Sequence, residues 1–260
     1  MSSKKRKRLA ATVAAIQRRW GTKALSRGER TLRPPVEIPH ISTSFPSLDQ
    51  ALAGIGGIPR GRLTELLGAP TSGMATLALK IMASAQPDGQ TAVYVDLGRT
   101  FDPDYAARCG VNLAQFLLVR PANGLEALEI GHSLIASRGA GVLVFDAVTH
   151  LLADPQGAQA LSMALRQLLP VLAKSPAVLI FLTPLQFGSA MSAANYPSGF
   201  ALPHYATLRL QLKKEKWIHK GRDVRGYQAR VLVLKNKLGQ AGRQATIAIT
   251  FNGVVRGDST

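Results

Sequence analysis

The sequence predicts an α/β protein, and two observations lead there. Stretches that are apolar throughout, TAVYVDLG, FLLVRPAN, GVLVFDAV and AVLIFLTPL, read as short buried strands and alternate with helical stretches such as LEALEIGHSLIASR and ALSMALRQLLPVLAKS. Strands without polar alternation need cover on both faces, which implies a mostly parallel central sheet. The last third changes period. YATLRLQLKK, ARVLVLKNKL and QATIAITFNG alternate apolar and polar residues and are joined by short polar turns, which predicts an antiparallel extension of that sheet.

The elements follow in order along the chain. RLAATVAAIQRRWG places Leu9, Val13, Ile16 and Trp20 at helical spacing, and Gly21 is suited to end that helix. TKALSRGERTLRPPVEIPH, rich in charge and proline, reads as an extended linker. The expected organisation is therefore a basic helix and linker over 1–40 and one core over 41–260. Within the core, GRLTELLG runs into a glycine loop, and TLALKIMASAQ leaves it as a helix with Leu77, Ile81 and Ala85 on one face. QFGSAMSAANYPSGFALPH reads as a mobile loop long enough to have a function of its own.

Composition narrows the class. No stretch approaches the roughly 18 uncharged apolar residues of a membrane span, so no membrane partner is expected. The basic N-terminus is followed by Arg18 and Arg19, which an apolar signal core would not contain, and a cytoplasmic location is expected. The one cysteine, Cys109, excludes an internal disulfide and a multi-cysteine zinc site, and reads as a small buried residue. The formal charge of +17 is concentrated: residues 1–30 carry ten Lys or Arg against one acid, and 211–243 carry ten against two, while the rest balances. Charge packed into two segments beside a neutral body is the footprint of a polyanion partner, nucleic acid first. In the second segment, Lys213, Lys214, Lys216, Lys220, Arg222 and Arg225 are interleaved with Trp217 and Tyr227, which suits single-stranded nucleic acid. The plainer alternative has the two aromatics covering a sheet edge.

Two motifs carry chemistry. GAPTSGMAT has glycines Gly68 and Gly73 at phosphate-loop spacing, between a strand and a helix, but holds Met74 where the loop lysine belongs and Ala75 at the hydroxyl position, followed by Thr76. VLVFD ends in Asp146 as a magnesium-holding Walker B strand does. Amides of Ser72, Gly73 and Met74 at the helix start are candidates to cradle an anion.

IPHISTSFPSLDQALAGIGGIPRGRLTELLGAPTSG resembles the approach to the phosphate loop of bacterial RecA recombinases. VDLGRTFDPDYAARCGVNL and VLVLKNKLGQAGRQATIAI resemble later blocks of the same family, in the same order. The resemblance extends to the N-terminal helix and linker and stops about where the family's ATPase core stops, with no C-terminal domain. It implies a RecA-type P-loop core. It also implies adenine contacts at Asp102 and Tyr105, and lysines at Lys235 and Lys237 that reach a neighbour's nucleotide, with Leu9, Val13, Ile16 and Trp20 docking on that neighbour. The family's DNA loops correspond to 153–158 and 188–203.

The departures are as informative. The family's loop lysine, magnesium-ligating threonine and water-activating glutamate fall on Met74, Ala75 and Gly98, and its γ-phosphate sensors fall on Thr183 and Pro184. The expectation is a non-hydrolysing paralogue with no catalytic residue, no metal and no required cofactor, in which weak ATP binding remains possible. The ImuA proteins of translesion synthesis are a comparable group. Expected partners are single-stranded DNA, a RecA-type recombinase or translesion polymerase, and a second copy of the chain. An interaction scaffold or filament cap that does not touch DNA is the rival expectation. For single residues the alternatives are a half-buried helix aromatic at Tyr105, a strand-end acid bonded to the loop backbone at Asp146, and a solvent-facing pair at Lys235 and Lys237.

Overall fold

A computed structural model describes residues 3–25, 37–52, 54–153, 156–185, 201–251 and 255–256. The chain divides into two units, Met1–Glu37 and Ile38–Thr260.

The first unit contains helix α1, Ser3–Trp20, followed by a 3-10 turn at Thr22–Ala24. Gly21 ends the helix with φ 85°, a left-handed value that a β-carbon resists, and Gln17 closes the turn by donating from Nε2 to the carbonyl of Leu25 at 3.0 Å. Along the predicted stripe Val13 and Ile16 are half-buried, whereas Leu9 and Trp20 (61%) are exposed. Most of the predicted linker, residues 26–36, lies outside the described residues.

The second unit is built on a nine-stranded sheet, flanked by a small antiparallel pair, β1 (His40–Ile41) with β2 (Ile58–Pro59). The apolar runs become β3 (Leu63–Gly68), β4 (Thr91–Asp96), β5 (Phe116–Val119), β6 (Ala140–Asp146) and β7 (Val178–Pro184), all parallel. The alternating runs become β8 (Leu208–Lys220), β9 (Asp223–Asn236), β10 (Gln244–Phe251) and β11 (Val255–Arg256). Across the sheet the order is β11-β10-β9-β8-β3-β7-β6-β4-β5, with β8 parallel to β3 and the rest of the extension antiparallel. The period change read in the sequence is thus the change from a sheet covered on two faces to an antiparallel one.

Helices cover both faces of the parallel part. On one side are α2 (Pro46–Ala51), α3 (Met74–Ala85) and α4 (Pro103–Arg108), with Leu77, Ile81 and Ala85 of α3 buried as their spacing required. On the other are α5 (Gly124–Ala136), α6 (Val148–Leu151), α7 (Gly157–Leu172) and α8 (Leu202–Tyr205). There the rings of Phe145 and Phe181 stack at 4.8 Å. Helix α5 starts where a reciprocal cap forms: Asn123 accepts from the Glu126 amide at 2.9 Å, and Glu126 accepts from the Ala122 amide at 2.6 Å.

Three expectations change. The long loop ends earlier than its composition suggested, since Leu202–Tyr205 is helical; its residues 186–200 lie outside the described residues, as do 154 and 155 of the other expected DNA loop. Strands β8 and β9 do not stop at the basic segment but run through it, turning at Gly221 (φ 63°) and Arg222. Tyr227 pairs with Trp217 on one side and Ile249 on the other and so lies inside the sheet, whereas β8 past Leu212 pairs with β9 alone among the described residues, which leaves Trp217 on that strand's free edge.

Candidate functional site

The carboxyl ends of β3, β4, β6 and β7 converge on one rim of the sheet, where ligands of open parallel sheets bind. The glycine loop leaves β3 there. A β-carbon on Gly68 would strike the Ser72 hydroxyl and stand 2.7 Å from the Leu212 carbonyl. On Gly73, which precedes α3 with φ 101°, it would stand 2.8 Å from Ile249 Cδ1 and 3.0 Å from the Tyr227 hydroxyl. Both positions therefore require glycine, so the loop spacing has a steric cause as well as an ancestral one.

The loop differs from the expected cradle in one respect. The Ser72 amide donates to the Ala69 carbonyl at 3.1 Å and is spent within the turn. What remains is the start of α3, which no side chain caps, so the amides of its first turn carry the positive end of the helix dipole outward. The Ser72 side chain is 2% exposed and its hydroxyl has no partner. Met74 is 8% exposed and packs in the core cluster beside α3, and Ala75 has no hydroxyl. The loop brings no cation of its own.

Residues 71–76 line one side of a cavity of about 420 Å³. Lys214, Trp217 and Tyr227 of the β8–β9 hairpin line it too, together with Phe251 of β10, and Tyr105, Asp146 and Leu182 complete it. Register explains this cover: Gly68 pairs with Leu212, so Lys214 lies two residues past the start of the loop, and Trp217 sits directly opposite Tyr227 across the hairpin. Lys214 rests its ammonium 4.1 Å above the Trp217 ring. Tyr227 is 7% exposed, with its hydroxyl against Gly73, which corrects the reading of this ring as open to bases. Burial pushes its phenol up to about 12.

Tyr105 lines the cavity and is the half-buried helix aromatic of the plainer reading, its hydroxyl 2.6 Å from Thr76 Oγ1. Asp102 is not on the cavity wall; its carboxylate accepts the Tyr105 amide at 3.0 Å and caps α4. Cys109 is buried, and burial raises its thiol to about 11, as its plain reading required.

Asp146 accepts the Tyr94 hydroxyl at 2.6 Å, not a loop amide as expected, because Tyr94 on the neighbouring strand is paired with Val144 and points to the same rim. Burial raises the Asp146 carboxyl, the Tyr94 hydrogen bond draws it back, and nearby Asp96 raises it further. Asp96 is itself buried, accepting the amides of Thr100 and Phe101 and pairing with Arg120 at 3.3 Å. At Gly98 a β-carbon would lie 2.9 Å from Nε2 of His150, so that imidazole fills the space a side chain at 98 would enter. Among the described residues no group of three or more His, Cys, Asp or Glu side chains is placed to hold a metal ion.

Lys235 and Lys237 lie away from this cavity. Lys235 donates to the carbonyls of Pro203 and His204 at 2.6 and 3.0 Å, and Lys237 donates to that of His204 at 3.0 Å, holding α8. They are not simply solvent-facing, and desolvation lowers the Lys235 ammonium. Beneath them Glu65 is buried against Arg209 at 2.6 Å and accepts the Thr183 hydroxyl at 2.9 Å.

The expected nucleic-acid residues do gather on the hairpin. Lys213, Lys216, Lys220 and Arg222 are exposed, as is Trp217 (51%), whereas Arg225 pairs with Asp223 at 3.0 Å and Arg230 with Glu215. Sequence reasoning missed Phe251, Leu182, Tyr94 and His150. Of these only Phe251 carried a readable signal, as the end of an alternating strand.

A glycine loop running from a parallel strand into a helix, at the carboxyl rim of a mixed nine-stranded sheet, defines a P-loop core of the RecA type. The family model for the RecA N-terminal domain matches residues 7–256. The protein RecA of Chloroflexus aurantiacus is 38% identical over 271 residues, covering 97% of this chain and 76% of that one. That of Herpetosiphon aurantiacus is 38% identical over 97% and 74% of the two chains, and that of Caldanaerobacter subterraneus 36% over 96% and 77%. The chain belongs to the RecA family. Among the described residues no helix is long and apolar enough to cross a membrane.

Proposed function

We propose that this chain is a non-hydrolysing member of the RecA family that binds single-stranded DNA in recombinational repair or translesion synthesis and associates with an active recombinase. The observation that carries this reading is what occupies the positions where the resemblance puts phosphate and water chemistry. Met74 is packed into the core, Ala75 has no hydroxyl, and the space beyond Gly98 holds His150. Without a lysine on the loop, a metal-ligating hydroxyl and a general base, phosphoryl transfer here lacks the loop cation, the metal and the water activation on which the family's chemistry depends. The residues present fit a phosphate group, through the α3 amides and the unpartnered Ser72 hydroxyl, but they do not fit magnesium, since the Asp146 carboxylate is held by Tyr94. Weak nucleotide binding without turnover is the behaviour this composition favours.

DNA binding rests on the hairpin, where four exposed cations surround a half-exposed indole. Association with another subunit rests on the exposed Leu9 and Trp20 of a helix that carries a strongly basic first turn. The test is phosphate release from ATP with magnesium and single-stranded DNA, using protein prepared from a host lacking its own RecA. No turnover above background is expected. Turnover that survives purification and falls on mutation of Asp146 contradicts the reading.

A further inference from the structure

The loop lacks a cation, but its cavity does not. Lys214 reaches it from β8, two residues past the strand register of Gly68, and lines it together with Trp217 and the first residues of α3. A helix start alone does not make a site; here Ser72 lines the same cavity, and its hydroxyl, buried beside Gly68, has no partner among the described residues. An uncapped helix start, an unsatisfied hydroxyl and an ammonium that lies over the rings of Trp217 and Tyr227 are complementary to a phosphate-bearing ligand. Lys214 and Trp217 also belong to the basic hairpin, where Lys213, Lys216, Lys220 and Arg222 are exposed.

We propose that Lys214 supplies from the hairpin the positive charge that position 74 lacks, so that a phosphate-bearing ligand on the loop and single-stranded DNA on the hairpin compete for one side chain. The second half rests on the DNA-binding reading above; the first does not. The coupling is negative and, as binding linkage requires, reciprocal: each ligand weakens the other by the same factor. Such a device lets small phosphates in solution release the protein from DNA without hydrolysis.

The test uses the full chain and two probes, inorganic pyrophosphate and ATP, without magnesium, followed by calorimetry. Binding of either is expected to weaken about tenfold or more in Lys214→Met, the loss of a charge-assisted contact, to recover in Lys214→Arg, and to be unchanged in Lys174→Ala, a distant exposed lysine. ATP binding more tightly than pyrophosphate assigns the ligand as a nucleotide, and equal binding assigns it as a free phosphate chain; both retain the role of Lys214. Saturating pyrophosphate is expected to weaken a fluorescent oligonucleotide severalfold more than chloride of equal ionic strength, an effect read on the unaltered chain and therefore independent of whether a variant folds. Pyrophosphate and ATP that fail to bind, or that bind Lys214→Met as well as wild type, overturn the proposal. So does an oligonucleotide affinity that pyrophosphate leaves unchanged or strengthens. If DNA does not bind at all, the function proposed above fails, and the Lys214 dependence of pyrophosphate binding still decides the loop half.

Discussion

At the scale of single residues, two buried acids have opposite consequences. Glu65 is fully buried, and its pairing with Arg209 and Thr183 satisfies both oxygens. Glu65→Gln should destabilise the core by about 3–5 kcal/mol, because it leaves a guanidinium buried without its counter-charge; chemical denaturation measures this, and a loss below about 1 kcal/mol would show that water reaches the pair. Asp146 instead has a raised carboxyl pKa, so its contribution to stability is fully present below the unfolded-state value and is lost as pH rises through the folded-state value. Asp146→Asn keeps an acceptor for Tyr94 and should leave the melting temperature at pH 7 unchanged or raised, while flattening its dependence on pH above the carboxylate range. A clear loss at pH 7 would mean that the ionised form is held by something other than Tyr94. Residues of this kind were only partly legible beforehand. The loop departures at Met74, Ala75 and Gly98 could be read directly, but Tyr94 and His150 reach the site through strand register and a close approach to Gly98, which no local pattern encodes.

At the scale of elements, the hairpin connects loop and charge. Its strands of 13 and 14 residues carry the basic segment beyond the body of the sheet, with register shifts around Glu215 and near Ile218. Replacing Lys213, Lys216, Lys220 and Arg222 by Ala should reduce the salt dependence of oligonucleotide binding by roughly 0.7 in slope for each phosphate contact removed. Folding should be retained, since all four are exposed. An unchanged slope would move the contacts elsewhere. The strands themselves were legible from apolar runs and alternation, because burial on two faces or one imposes those patterns. The inward face of β9 was also present in the alternation of Tyr227, Ala229, Val231 and Val233, although the basic residues around Tyr227 masked it. The role of Lys235 and Lys237 was not legible, because the carbonyls they hold belong to α8, some thirty residues away in sequence.

At the scale of the whole molecule, the positive charge lies at two places in the chain, the N-terminal unit and the β8–β10 region, around a balanced body. Removing residues 1–37 should leave the melting temperature of the core within a few degrees, because the core has its own hydrophobic clusters on both sheet faces, and should abolish concentration-dependent association in sedimentation. Association that survives the deletion would assign it to the core surface. On the function proposed above, this chain holds single-stranded DNA without nucleotide hydrolysis. The most direct measurement is binding of a fluorescent single-stranded oligonucleotide across a salt series, with and without ATP and magnesium. Binding is expected to fall steeply with salt and to gain nothing from ATP and magnesium. Binding that requires ATP and magnesium would contradict that function, as would no binding at low salt, which would leave the chain a protein-docking scaffold.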